Sequence, residues 1–281
     1  MANNGIFDTH CHLMSEHYVE DEVSKLLKDA YLAGVGSILN VGFTLKTSQD
    51  AVSQVSQFEN DEQISRLYAA VGIHPTEVAE FENNEKINVI LEMKKLIQTG
   101  KVIAVGEIGL DYFHKFTTPE KQKKWFIEQL KLAKEHQLPV LLHIRDAFED
   151  AFQIIKTQNI TCGILHCFTG TKEIAEKFIK QGFYISFAGN VTYKNAVNLQ
   201  AVVKTIPMNR ILVETDAPYL TPEPKRGRNP KHGLTVNNPE NIIFTVKKIA
   251  ELKNIPKQVD SVINTTRENA FNIFKLNNET E

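Results

Sequence analysis

Cysteine is scarce: Cys11, Cys162 and Cys167 are the only three in 281 residues. Three scattered thiols exclude a disulfide framework, and their spacing forms no CxxC zinc site, so the cysteines fit a reducing compartment. No apolar run approaches the roughly 20 residues that a membrane span needs, and the N-terminus has no basic region followed by an apolar block. The expectation is a cytoplasmic chain with no membrane partner. Strong charge of one sign is missing too. A formal net charge of −2 excludes coating nucleic acid by bulk electrostatics, because non-specific binding draws on many Lys and Arg contacts to phosphate. Any anionic substrate must be held locally. No Gly/Ser linker or low-complexity tract divides the chain.

What the chain does have is repetition. Eight short apolar runs read as strands: near residue 8, then from 37, 67, 101, 139, 163, 183 and 211. Amphipathic segments separate them. In EKQKKWFIEQLKLAKEHQ, Phe126, Leu130 and Ala133 recur at helix spacing, Thr118 is the expected N-cap, and Pro119 opens the first turn. Strands alternating with helices imply parallel pairing through right-handed crossovers. Eight repeats in a length near the roughly 250 residues usual for a (β/α)8 barrel favour that fold over an open doubly wound sheet. The expectation is one α/β domain over residues 1–281, a TIM barrel with an extra C-terminal helix, closed by helices near 239–252 and 256–275.

In such a barrel, functional groups sit where strands finish at the C-terminal face. Polar residues do collect there: His10 and His12 after strand one, His74 after strand three, Glu107 on strand four, His143 on five, His166 on six and Asp216 on eight. Taken singly, each has a bland reading. The stretch FDTHCHL could hold two satisfied histidines near a strand end, Glu107 could cap a helix, His143 could be a core histidine, and Asp216 before Ala-Pro could form a turn. Jointly these readings require several coincidences.

Imidazoles with carboxylates, and no thiolate ligands, suit Zn²⁺, Mn²⁺ or Mg²⁺. Six ligands exceed what one catalytic ion needs, so two divalent metal ions sharing Glu107 are expected. Asp8 and Glu214 lie two residues before His10 and Asp216 and suit orientation of ligands from behind. Cys11 and Cys167 neighbour histidines of interest and should point to the opposite, buried face.

The motifs DTHCHL, GIHP, GEIGLDY, LPVLLHIRDA, LHCFTG, YISFAG and VETDAPYL resemble, in order and across nearly the whole chain, those of the TatD-type metal-dependent deoxyribonucleases, amidohydrolase-like (β/α)8 hydrolases. The resemblance implies that His10, His12, Glu107 and Asp216 hold one ion while Glu107, His143 and His166 hold the other, with His74 and Arg145 facing the substrate phosphate. It further implies a deoxyribonuclease, acting as an exonuclease on single-stranded DNA or DNA ends through a water activated by two metals, with no obligate protein partner. In that mechanism Glu107 and Asp216 are the catalytic carboxylates and Asp216 is the base. After DAPYLTP the chain departs from the family's pattern, reading PEPKRGRNPKHG. There Lys225, Arg226, Arg228 and Lys231 fit either phosphate contacts, with Arg226 and Arg228 gripping the strand, or a solvated basic loop. The same ligand set also suits an amidohydrolase cleaving a small-molecule C–N or ester bond.

Overall fold

In the computed structural model, residues 5–18, 22–80, 83–227 and 235–276 are described. The eight apolar runs form strands β1 (Ile6–Cys11), β2 (Val35–Val41), β3 (Arg66–Val71), β4 (Val102–Asp111), β5 (Val140–Arg145), β6 (Gly163–Leu165), β7 (Tyr184–Phe187) and β8 (Ile211–Val213). They pair in parallel and in chain order within one sheet. The strands read as near-continuous apolar runs because a parallel sheet wrapped by helices is buried on both faces.

Helices α1 (Val23–Leu32), α2 (Leu45–Phe58), α3 (Asn83–Gln98), α4 (Pro119–Glu135), α5 (Phe148–Thr157), α6 (Lys172–Lys180) and α7 (Val197–Thr205) fill the crossovers, and α8 (Ile242–Leu252) and α9 (Val259–Phe274) follow β8. Local chemistry fixes their ends. Thr118 accepts the Lys121 amide at the start of α4, and Thr44 and Thr47 form a reciprocal capping box at α2. On α4, Trp125, Phe126, Leu130 and Ala133 make one buried stripe. Among the described residues no helix is long and apolar enough to cross a membrane.

Two apolar layers result. Outside the sheet, residues such as Leu27, Val105, Phe126 and Phe178 pack strands against helices. Inside it, Phe7, Leu39, Val41, Ala70, Ala104, Leu141, Ile164 and Leu212 meet Ala270, Phe271 and Phe274 of α9. The Phe7 ring lies 5.9 Å from Phe271 and 5.5 Å from Phe274. Asn269 ties α9 to the start of β8 by donating to the Ile211 carbonyl at 2.8 Å. The extra C-terminal helix thus plugs the N-terminal end of the barrel, and each ring buried there contributes roughly 1.5–3 kcal/mol. The opposite end stays available for polar groups.

Candidate metal centre

Local backbone irregularities aim the side chains. The β1–β2 register shifts between Asp8 and Cys11, and the β4–β5 register shifts between Val105 and Ile108, around Glu107. Such bulges re-aim a side chain that strict alternation would place elsewhere. Past the second shift, Gly109 lets β4 approach β5 closely: a Cβ there would sit 1.9 Å from the His143 carbonyl oxygen.

All six expected ligands and His74 converge at the C-terminal mouth, and the two oxygens of Glu107 divide them. Glu107 Oε2 lies 3.5 Å from His10 Nε2 and 3.8 Å from His12 Nε2. Asp216 Oδ1 completes that side, 3.4 Å from His12 Nε2 and 3.9 Å from His10 Nε2. Glu107 Oε1 faces His143 Nδ1 and His166 Nε2, each at 2.9 Å, and His74 Nε2 at 3.6 Å. His74, which the resemblance gives to the substrate, therefore also stands among the donors: with Glu107 and His143 it forms one of three groups among the described residues whose ligand atoms lie within 4.8 Å of one another.

The hydrogen bonds behind the imidazoles fix their tautomers. A carbonyl only accepts, so the contact of His12 Nδ1 with the Val41 oxygen at 2.8 Å puts a proton on Nδ1 and turns Nε2 toward the carboxylates. His166 Nδ1 donates to Glu214 Oε1 at 3.1 Å, and His143 Nε2 donates to Asp111 Oδ2 at 3.0 Å. Three imidazole nitrogens are thereby turned on two carboxylates, and although burial works to lower them, the carboxylates raise the pKa of His12, His143 and His166, so protons occupy the positions that divalent cations would take. Burial works to raise the Glu107 pKa, but His166, His74, His10 and His143 prevail and hold it well below the usual carboxylate range. Burial, with His166 beside it, lowers His10 to about 4, and burial with His143 lowers His74 to about 3, so both stay neutral. Neutral imidazole and ionised carboxylate are the forms that ligate divalent ions, so the donor set fits them, with His12, His143 and His166 giving up a proton as an ion binds.

Glu214 orients a ligand from behind as expected, and Asp8 does not. Glu214, fully buried, holds His166 and also accepts the Cys167 amide at 2.7 Å. Asp8 does something else: its carboxylate accepts the Thr215 amide at 2.9 Å, the Thr215 hydroxyl at 2.6 Å and the His10 amide at 3.3 Å, so it ties backbone to backbone and touches no imidazole. Burial raises its pKa to about 7. Asp111 was missed. It carries His143 and also accepts the His114 ring and amide, both at 2.8 Å. The signal was available, since Glu107, Gly109 and Asp111 alternate along β4.

Cys11 is buried in the outer core as expected, whereas Cys167 is not turned away into the core. β6 ends at Leu165, Cys167 takes φ +42°, and the Asn190 amide reaches its sulfur at 3.8 Å. Arg145 is exposed at the end of β5 with its guanidinium over the Phe113 ring. Arg226 lies 4.1 Å over the Tyr193 ring and, among the described residues, bonds to none of the donors. Lys225 is exposed, and Arg228 and Lys231 fall outside the described residues.

Comparison with known proteins shows what the chain as a whole is similar to. The model of the TatD related DNase family matches residues 7–275. The chain is 37% identical over 274 residues to an uncharacterized metal-dependent hydrolase, YabD, of Bacillus subtilis (strain 168), covering 97% of this chain and 100% of that one. It is 32% identical over 248 residues to a protein of Shigella flexneri named 3'-5' ssDNA/RNA exonuclease TatD, covering 87% and 90% of the two chains. The crystal structure of YJJV, a TatD homolog from Escherichia coli K12, superposes with a TM-score of 0.83 at 29% identity over 97% of this chain and 98% of that one. With a family model spanning nearly its whole length and relatives this similar, the chain belongs to the TatD-related DNase family of metal-dependent hydrolases.

Proposed function

We propose that this protein is a two-metal nuclease that removes nucleotides from an end of single-stranded nucleic acid, DNA foremost. The observation that carries the reading is the division of donors by Glu107, one oxygen toward His10, His12 and Asp216 and the other toward His143 and His166. On this reading His10, His12, Glu107 and Asp216 hold one ion and Glu107, His143 and His166 hold the other. Bound divalent ions supply Lewis acidity, polarising a phosphoryl oxygen and lowering the pKa of a water. Asp216 is the base: its side chain is 13% exposed against 6% for Glu107, so it is the carboxylate that a water reaches more readily and whose oxygen accepts the proton. Arg145 makes no ion pair among the described residues, and its planar fork matches two phosphate oxygens as charge develops there. His74, neutral on the Oε1 side of Glu107, contacts the same phosphate. The direction, 3' to 5', is carried over from the Shigella flexneri relative.

A time course on single-stranded DNA and RNA labelled at either end, with Mg²⁺, Mn²⁺, Zn²⁺ or EDTA, tests the proposal. Stepwise shortening from the 3' end, abolished by chelator, is the expected result. Turnover of a cyclic amide with no cleavage of either nucleic acid would overturn it in favour of a C–N hydrolase.

A further inference from the structure

Of sixteen phenylalanines, the exposed ones among the described residues are Phe113 and Phe116, at 53% and 68%. Both lie in the segment 112–118 between β4 and α4, on the C-terminal side of the barrel, where the donors gather. They are ordered relative to each other. The His114 ring lies parallel to Phe116, with an interplanar angle of 6° and centroids 5.7 Å apart, and Phe113 stands edge-on to His114 at 5.0 Å. Arg145 places its guanidinium 3.8 Å over the centre of the Phe113 ring. The whole row is fastened to the metal centre, because the Asp111 carboxylate that holds the His114 ring and amide also holds His143.

Rings left facing solvent lose the stabilisation of burial, and here they stand one carboxylate away from a proposed ligand, with two cations beside them, Arg145 and the exposed Lys115. Aromatic faces alternating with positive charge complement a chain of π-faced bases joined by phosphates. A protein partner would call for aliphatic side chains as well, and among the described residues the exposed large aliphatic ones, Leu32, Leu91 and Val197, lie in α1, α3 and α7. A duplex is excluded by its own stacking, which hides the base faces.

Resting on the nuclease reading above, we propose that Phe113, His114 and Phe116 form a base-stacking platform for the nucleotides adjoining the scissile phosphate, with Arg145 and Lys115 on the backbone. Every base has a π face, so the platform tolerates any sequence and gives the protein its preference for unpaired strands.

The test reads binding without turnover. Affinities of fluorescein-labelled hexa-deoxyadenylate and of a hexamer of abasic sites are measured by anisotropy in EDTA. The proteins compared are full-length wild type, F113A/F116A and F113W/F116W, each checked for folding by circular dichroism. The expected result is that wild type favours the base-bearing strand by about tenfold, equivalent to about 1.4 kcal/mol. In F113A/F116A that ratio should fall close to one, and in F113W/F116W it should return. An equal ratio in wild type and F113A/F116A, or no preference for bases in wild type, overturns the platform. Base-dependent binding that these substitutions erase, without strand cleavage when metal is restored, supports the platform and sinks the nuclease reading, so the two failures are distinguishable.

Discussion

Replacing Asp111 by Asn gives the sharpest test of the metal centre, because it changes one oxygen and no volume. In the native chain Asp111 Oδ2 accepts from His143 Nε2 at 3.0 Å and from His114 Nδ1 at 2.8 Å, while Oδ1 accepts the His114 amide at 2.8 Å. The backbone of Asp111 is pinned on both sides by the Gln122 side chain, at 2.8 Å in each direction, so the residue stays in place when its charge is lost. Asn keeps one acceptor for the His114 amide but turns an NH2 group on the two imidazoles. His143 then accepts at Nε2, its proton moves to Nδ1, and Nδ1 presents hydrogen instead of a lone pair to Glu107. Loss of such an outer hydrogen bond costs roughly 10- to 100-fold in metal affinity or activity. That corresponds to about 1.4–2.7 kcal/mol.

Calorimetric titration of metal-free D111N with Mn²⁺ or Zn²⁺ should show one weakened site and one close to wild type. Imidazole ¹⁵N shifts should report the tautomer of His143 directly. Two sites each within twofold of wild type, with His143 still protonated at Nε2, would refute the orienting role.

Glu107→Ala, which removes the group shared by both donor sets, should abolish strand cleavage and cut bound metal below two equivalents while the far-ultraviolet dichroism stays native; metal content after dialysis and gel assays read both. Phe274→Ala opens a cavity between α9 and the barrel interior beside Phe7 and should lower unfolding free energy in urea by about 3 kcal/mol. Metal-saturated activity below the transition should survive in that variant, because the plug lies at the end of the barrel opposite the donors.

The fold was legible because its signal is repeated: eight apolar runs, six of them ending in a candidate ligand or substrate residue, specify a parallel barrel with its chemistry at one mouth. The candidate ligands were legible for the same reason. What escaped was local. Alternation predicted that Cys167 would turn into the core, but the strand stops two residues earlier, and a left-handed backbone conformation redirects the side chain. Alternation also put Asp8 behind a ligand, whereas the register shift after it directs its carboxylate to Thr215. Asp111 shared the period of Glu107 and was still overlooked, since its partners His143 and His114 are defined by the pairing of β4 with β5 and by the fold of the following loop. No single-strand pattern reveals either.

These local departures explain why the two halves of the centre rest on different supports. The bonds that join β8 to β1 run through the proposed ligands themselves: the Asp216 amide donates to the His10 carbonyl at 2.9 Å, and the His12 amide donates to the Ala217 carbonyl at 2.8 Å. Asp8 reinforces this seam through Thr215, and Thr9 adds its hydroxyl to the Val213 carbonyl at 3.0 Å. The spacing of His10, His12 and Asp216 is therefore set by the same backbone bonds that close the sheet, and even the His12 tautomer is fixed by a main-chain oxygen. His143 and His166 instead lean on the side chains of Asp111 and Glu214. A ring held by a main-chain oxygen keeps its tautomer as long as the barrel is folded, while a ring held by a carboxylate changes with a single oxygen. The asymmetry lies in the rings and not in the main chain: closure of the barrel falls at His10, His12 and Asp216, and the β5–β6 ladder from Val140 to Leu142 is likewise extended by the His166 amide, which donates to the Leu142 carbonyl at 3.1 Å, but the His143 and His166 rings rest on carboxylates.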